Sequence, residues 1–228
     1  MDSLGTRMKS YEDNTRLHKG AVIIRVDGKS FHTWTKQARL NRPFDTNMHA
    51  AMRYASMETA RAMQGFRLAY TQSDETTFCI ANIEEMAGAW FDYKLQKLVS
   101  ITASMFTLFF NSYIKNSGWA PNAFFDARAF SIPVEDAANA FVWRQQDNTR
   151  NHIQAKAHSV FSHAAIQNKN GLELVEMLER AGEGIETLPA WIRYGTFVDK
   201  AQNLINEPLK YAEVNDYLGF EESVDAAS

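Results

Sequence analysis

The chain has 228 residues, of which 22% are charged, 45% hydrophobic and 12% aromatic, with fifteen Phe and a formal charge of −3. This composition excludes a disordered or low-complexity chain and suffices for one substantial core with an extension. The slight acidic excess provides no basic tail for nonspecific phosphate binding, so a nucleic acid would have to meet positive charge concentrated locally or assembled across subunits.

Cys79 is the only cysteine, so no intramolecular disulfide can form. A lone thiol also argues against a cysteine-based zinc site and fits a reducing compartment, so a cytoplasmic location is expected. The N-terminal MDSLGTRMKS is polar, without an apolar signal region. No apolar run approaches the roughly 18 residues of a membrane span, so none is expected.

The first element is the apolar run Ala21 to Val26, which ends in Arg-Val-Asp-Gly and reads as a buried strand delivering Asp27 to a turn. Between Asp45 and Gln64, Met48, Ala51, Met52, Ala55 and Met63 recur at helical spacing, with Asp45 as N-cap after Pro43. Phe66 to Tyr70 and Thr76 to Ile80 are β-rich runs flanking the polar Gln72-Ser73-Asp74-Glu75, a hairpin signal. Lys94 to Tyr113 carries Leu95, Leu98, Val99, Met105, Phe106, Phe109 and Phe110 at helical spacing, a second long helix. Ala123 to Ile132 is β-like and stops at Pro133.

Strand, helix, strand, strand, helix, strand is the ferredoxin-like βαββαβ pattern of an α+β fold. Polymerase and nucleotidyl-cyclase palms share it, although fold alone does not assign function. A palm over residues 1–134 and a mainly helical extension over 135–228 are expected. Within the extension, Thr149 to Ile166 has an apolar face of Ile153, Ala157, Val160, Phe161 and Ala164, with Asn151, Gln154, His158 and Ser162 on another face. Glu186 to Lys200 reads as irregular β structure, and the tail from Glu221 as solvated and frayed.

Asp27 closes the first strand, and Asp74 and Glu75 lie in the hairpin. In a βαββαβ sheet the strands that carry them are central neighbours, so the carboxylates can converge. Mg²⁺ needs hard oxygen ligands and open positions for phosphate and water, and two carboxylates plus a carbonyl near Gly28 supply them. Taken singly, Asp27-Gly28 and Ser73-Asp74 are better explained as turn dipeptides. Gly28-Lys29-Ser30-Phe31-His32 offers backbone N–H groups and charge for phosphates, or simply a strand-to-helix turn with a capping Ser. It is not a Walker A loop, because the upstream Gly is missing. Lysines on an amphipathic helix such as Lys94 and Lys97 are ordinarily solvated. His152, Lys156 and His163 read as a solvated basic stripe, and no histidine pair has helical metal-ligand spacing.

RVDGKSFHTWTK (Arg25 to Lys36), RPFD (Arg42 to Asp45), YTQSDETTF (Tyr70 to Phe78), FDAR (Phe125 to Arg128) and WRQQD (Trp143 to Asp147) occur in order. Together they resemble the tRNA-histidine guanylyltransferase family from about Leu4 to Lys200. The eukaryotic members carry an HINNLYN-like stretch after WRQ. Here Asn151 is retained, but Thr149 stands where His is expected. The RNHIQ form is similar to the guanylyltransferase-like 3′–5′ polymerases of bacteria, archaea and viruses.

The resemblance implies 3′–5′ nucleotide addition to tRNA through ATP-dependent 5′-adenylylation. The Thr149 departure favours template-dependent 5′-end repair over strict G addition to histidine tRNA. It implies two Mg²⁺ ions held by Asp27, the Gly28 carbonyl and Asp74, with Glu75 a further catalytic carboxylate. Lys29, Ser30, Phe31, His32 and Ser73 would cradle the triphosphate of ATP, GTP or another NTP, with Arg42 and Asp45 bordering the base. Arg25 and Lys97 would bind the activating triphosphate or the 5′ end, and Asn151, His152 and Lys156 the tRNA. A homotetramer spanned by tRNA is the family habit. Two other readings stay open on the residues alone: a palm cyclase acting on NTPs without RNA, and a noncatalytic RNA-binding relative.

Overall fold

The computed structural model describes residues 4–9, 15–18, 20–82, 88–115, 117–119 and 121–220, so the tail from Glu221 lies outside the described residues. In chain order the elements are α1 (Leu4–Lys9), β1 (Ala21–Gly28), α2 (Phe31–Gln37), α3 (Thr46–Ala62), β2 (Phe66–Gln72), β3 (Glu75–Ala81), α4 (Leu95–Ile114) and β4 (Phe125–Ile132). Then follow α5 (Ala137–Val160), α6 (His163–Ile166), α7 (Gly171–Arg180), α8 (Ala190–Tyr194), β5 (Thr196–Val198), β6 (Leu204–Ile205) and α9 (Tyr211–Leu218).

The strands form one sheet in the order β4-β1-β3-β2-β5-β6, with antiparallel neighbours. Its β4-β1-β3-β2 part is the ferredoxin-like arrangement expected from the sequence. β5 and β6 come from the chain beyond residue 134 and continue the same sheet past β2.

β1 reads as a continuous apolar run because both sheet faces are covered. Val22, Ile24 and Val26 point to the layer of α3 and α4, with Phe78, Ile80, Phe106 and Phe110. Ala21 and Ile23 point to the other layer, with Leu68, Tyr70, Phe141 and Phe197, roofed by α5 and α9. A third, smaller cluster joins Ile153 and Ala157 of α5 to Leu174 and Leu178 of α7.

Asp45 caps α3 as expected, its carboxylate accepting from Met48 N at 2.9 Å. Two sequence expectations need correction. The helix expected from Thr149 to Ile166 starts at Ala137 and breaks at Phe161, whose extended backbone (φ −115, ψ 155) sets α6 off. Glu186 to Lys200 is β only at Thr196–Val198, after the short helix α8.

Candidate active site

β1 and the β2–β3 hairpin end side by side. Asp27 is the register partner of Glu75 on β3 and of Asp126 on β4. Directly paired residues share a sheet face, so these carboxylates lie on the α5 side. The hairpin loop is Ser73-Asp74, with Ser73 in the left-handed region (φ 48). Gly28 N donates to Asp74 O at 3.1 Å, which ties the two turns together. Lys29 N donates to Phe124 O at 2.9 Å and pins the start of the next turn to the chain before β4.

Gly28 has a steric reason to be glycine. A Cβ there would lie 2.2 Å from the Phe31 ring. Phe31 belongs to an aromatic cluster with Trp34, Phe110 and Phe125, at centroid separations of 4.7 to 5.9 Å. The turn therefore rests on a rigid apolar floor. Phe31 is 4% exposed, so its ring belongs to the core, and toward a ligand it can offer only backbone and the ring edge.

Asp27 and Asp74 lie close enough for their charges to interact. The Asp74 carboxyl is held above the usual range, first by burial and then by the negative charge of Asp27. Ser73 Oγ donates to Asp74 Oδ1 at 3.1 Å and relieves part of this. Among the described residues, the cation recorded near Asp27 is Arg128, at 3.9 Å and half exposed. Two like-charged hard-oxygen groups beside a backbone that only glycine fits suit a divalent cation such as Mg²⁺.

Glu75, on the α5 face with Asp27, is engaged by α5. Its Oε1 lies 2.7 Å from Arg144 Nε, and its Oε2 accepts from Arg144 Nη2 at 3.0 Å. Arg144 Nη2 also donates to Asp147 at 2.7 Å, and Asp147 in turn pairs with Arg150 at 2.8 Å. Burial raises the Glu75 carboxyl, and Arg144 and then Arg25 oppose that shift.

Beyond Asp74 a cleft of about 550 Å³ opens, lined by His32, Arg42, Asp45, Ser73 and Asp74 and closed by Ala155 and His158 of α5. Lys29, Ser30, His32 and Arg42 are exposed around this region. The Asp45 carboxylate is already engaged, accepting from Asn41 N, Asn41 Nδ2 and Met48 N. A deeper recess continues past Asp45 and Ser73 to His49, Asn148, His152 and Trp191.

The family model of tRNAHis guanylyltransferase matches residues 5–133. The chain belongs to the tRNAHis guanylyltransferase family. A probable tRNA(His) guanylyltransferase of Drosophila melanogaster is 28% identical over 91% of this chain and 77% of its own length. One from Bos taurus is 27% identical over 87% of this chain, which spans 64% of the bovine length. A solved bacterial tRNA(His) guanylyltransferase-like protein in complex with ATP superposes at a TM-score of 0.89, with 32% identity over 96% of this chain and all of that one. A bacterial guanylyltransferase-like structure in complex with GTP gives 0.77 and 30% over the same 96%.

Set on this guanylyltransferase fold, some sequence-predicted residues gather and others do not. His32, Arg42, Ser73 and Asp74 line one cleft, and Asp27-Gly28 adjoins it through the bond from Gly28 N to Asp74 O. Arg25 lies on the α5 face, 3.9 Å from Glu75. Lys97 sits near the start of α4, on the opposite layer, with its Nζ 5.9 Å from the Phe91 ring, so this chain does not bring it to Arg25.

The expected solvated stripe holds at the exposed His163 and is corrected at His152 and Lys156. His152 is 5% exposed, and its Nδ1 bonds to Asn148 O at 3.0 Å. Burial lowers its pKa, against the opposing pull of that carbonyl. Lys156 pairs with Glu183 at 2.5 Å. Asn151 is exposed as expected.

Sequence reasoning missed His49, Asn148 and Trp191. The His49 ring stacks on Trp191 at 4.3 Å, its Nε2 lies 3.0 Å from Thr196 Oγ1, and burial and then Arg53 push its pKa down to about 4. These contacts join residues up to 147 positions apart in sequence, and no local spacing signals them.

Proposed function

We propose that this chain adds nucleotides to the 5′ end of tRNA in the 3′–5′ direction, as a guanylyltransferase-like nucleotidyltransferase. The observation that carries this is the juxtaposition of Asp27 and Asp74, tied through Gly28 N and Asp74 O, at the mouth of a cleft of nucleotide size.

In the first step a 5′-phosphate oxygen of the RNA attacks the α-phosphorus of ATP. The bond to the bridging oxygen breaks, pyrophosphate leaves and the 5′ end carries AMP. In the second step the 3′-hydroxyl of an incoming NTP attacks the 5′-phosphorus, loses its proton, and AMP departs. Mg²⁺ held by Asp27, Asp74 and the Gly28 carbonyl would lower the pKa of the attacking hydroxyl and neutralise the triphosphate. The exposed Lys29, His32 and Arg42, with Ser30 and Ser73, bind and orient the triphosphate in the cleft. Glu75, through Arg144, holds the Asp74 hairpin at a fixed distance from α5.

Repair of 5′-truncated tRNA fits better than strict histidine-tRNA guanylylation, because Thr149 stands where the eukaryotic members have His. A homotetramer in the cytoplasm is part of the same reading. Exposed Ile101 and Leu108 on α4 support the oligomer, and the free, buried Cys79 fits a reducing compartment. No helix among the described residues is long and apolar enough to cross a membrane.

The test is extension of 5′-truncated tRNAs by purified protein with Mg²⁺ and each of the four NTPs. Lengthening by templated nucleotides, through an adenylylated intermediate, is expected. Cyclisation of NTP without tRNA lengthening would establish the cyclase reading instead.

A further inference from the structure

The cleft beyond Asp74 has two walls. The palm wall carries phosphate donors, with His32, Arg42 and Ser73 beside the Asp74 carboxylate. The opposite wall is the end of α5, where Ala155, His158 and Ser159 fall at i, i+3 and i+4 and share one helix face. Ala155 offers only a methyl group. The Ser159 hydroxyl donates back to Lys156 O at 2.7 Å. Lys156, the nearest lysine on the helix, is turned away to Glu183. That leaves His158, which is exposed. Among the described residues its ring nitrogens have no hydrogen-bond partner, and its ring stacks on His163 with centroids 6.0 Å apart and planes at 10°.

This stack exists because α5 breaks. Residues five apart on a continuous helix point about 140° away from each other. Phe161 leaves the helix with an extended backbone, and α6 starts at His163, which brings the second ring back against the first. A ring braced in this way has less rotamer freedom to lose when a ligand arrives. An imidazole also keeps at least one N–H donor in either protonation state. A triphosphate lying beside Asp74 fills the space between the walls, and donors from the palm alone would leave one side of its phosphate chain without a protein partner.

We propose that His158 is the α5-side contact of the bound nucleoside triphosphate, donating a ring N–H to its phosphate chain. His163 is a positioning residue that acts through His158. The proposal rests on the 5′-addition reading above and assigns a residue of the helical extension to the nucleotide site.

Binding and turnover are measured separately on the whole protein. ATP binding with Mg²⁺ is followed by titration calorimetry without tRNA, and inorganic tripolyphosphate is titrated in the same way. KM for ATP, KM for tRNA and a thermal melt are also taken. His158→Ala is expected to weaken ATP and tripolyphosphate in the same proportion and to raise KM for ATP, each about ten-fold, with KM for tRNA and Tm as in wild type. His158→Gln, which keeps an N–H donor, should restore most of the affinity. His163→Ala should cost less, and nothing further once His158 is already Ala.

Unchanged ATP affinity in His158→Ala overturns the proposal. A loss for ATP that tripolyphosphate does not share also overturns it and makes the ring a base contact, and a loss confined to tRNA makes it an RNA contact instead. A His163→Ala loss that persists without the His158 ring overturns the positioning role. If wild type binds ATP through His158 yet never lengthens tRNA, the 5′-addition reading fails while the contact stands.

Discussion

In the proposed reaction, Asp27 and Asp74 would act through being crowded rather than through being acidic. Burial and the charge of Asp27 raise the cost of ionising Asp74, and a bound cation would reverse that cost. Replacing either by Ala should abolish nucleotide addition, by at least about 10³-fold, because the differential stabilisation of transition-state charge is lost. A thermal melt should show a folded protein, since removal of one member relieves repulsion. Gly28→Ala should behave differently. Its Cβ would overlap the Phe31 ring, and the resulting shift costs roughly 1–3 kcal/mol, visible as a lower Tm together with lost activity. His49 sets an acid limit. Its folded pKa is about 4, against about 6.5 unfolded, so the unfolded chain binds the proton more readily. Stability should therefore fall as pH drops from about 6.5 to about 4, by on the order of 3 kcal/mol in all. Urea melts across that range would show it, and His49→Gln should flatten the slope.

Elements of the palm were legible because their signals are local. The apolar run before Asp27, the capping Asp45 and the polar loop between two β-rich runs each lie within a few residues. The start of α5 was harder to see, because Ala137 to Asp147 mixes buried Ala137, Ala138 and Phe141 with the exposed Trp143, and Arg144 is itself buried. A buried arginine breaks the apolar periodicity that marks a helix face. It is there for Glu75, and the ion pair joins residues 69 apart in sequence. Arg144→Met should leave the half-buried Glu75 carboxylate with only the more distant Arg25, at 3.9 Å, for a partner, at a cost of roughly 3 kcal/mol. The double variant with Glu75→Gln should recover much of that loss in a denaturant melt, because no charge is then stranded.

At the scale of the molecule, one sheet carries two roofs. Ile23, Leu68, Tyr70 and Cys79 are nearly inaccessible only because α5, α9 and β5 cover them. Baring four such side chains forfeits on the order of 8 kcal/mol, comparable with the whole stability of a domain. A chain ended at residue 134 is therefore expected to give no cooperative unfolding transition, whereas the full chain does. The deep recess at His49 and Trp191 was illegible for the same reason: α3, α5 and α8 meet there only after the second layer closes. The measurement that most directly tests the central claim is incorporation of a labelled nucleotide at the 5′ end of a truncated, 5′-phosphorylated tRNA, comparing wild type with Asp27→Ala and Asp74→Ala. ATP-dependent lengthening by wild type and none by either folded variant is the predicted result. Lengthening that survives either substitution, or a tRNA that wild type never extends, would contradict it.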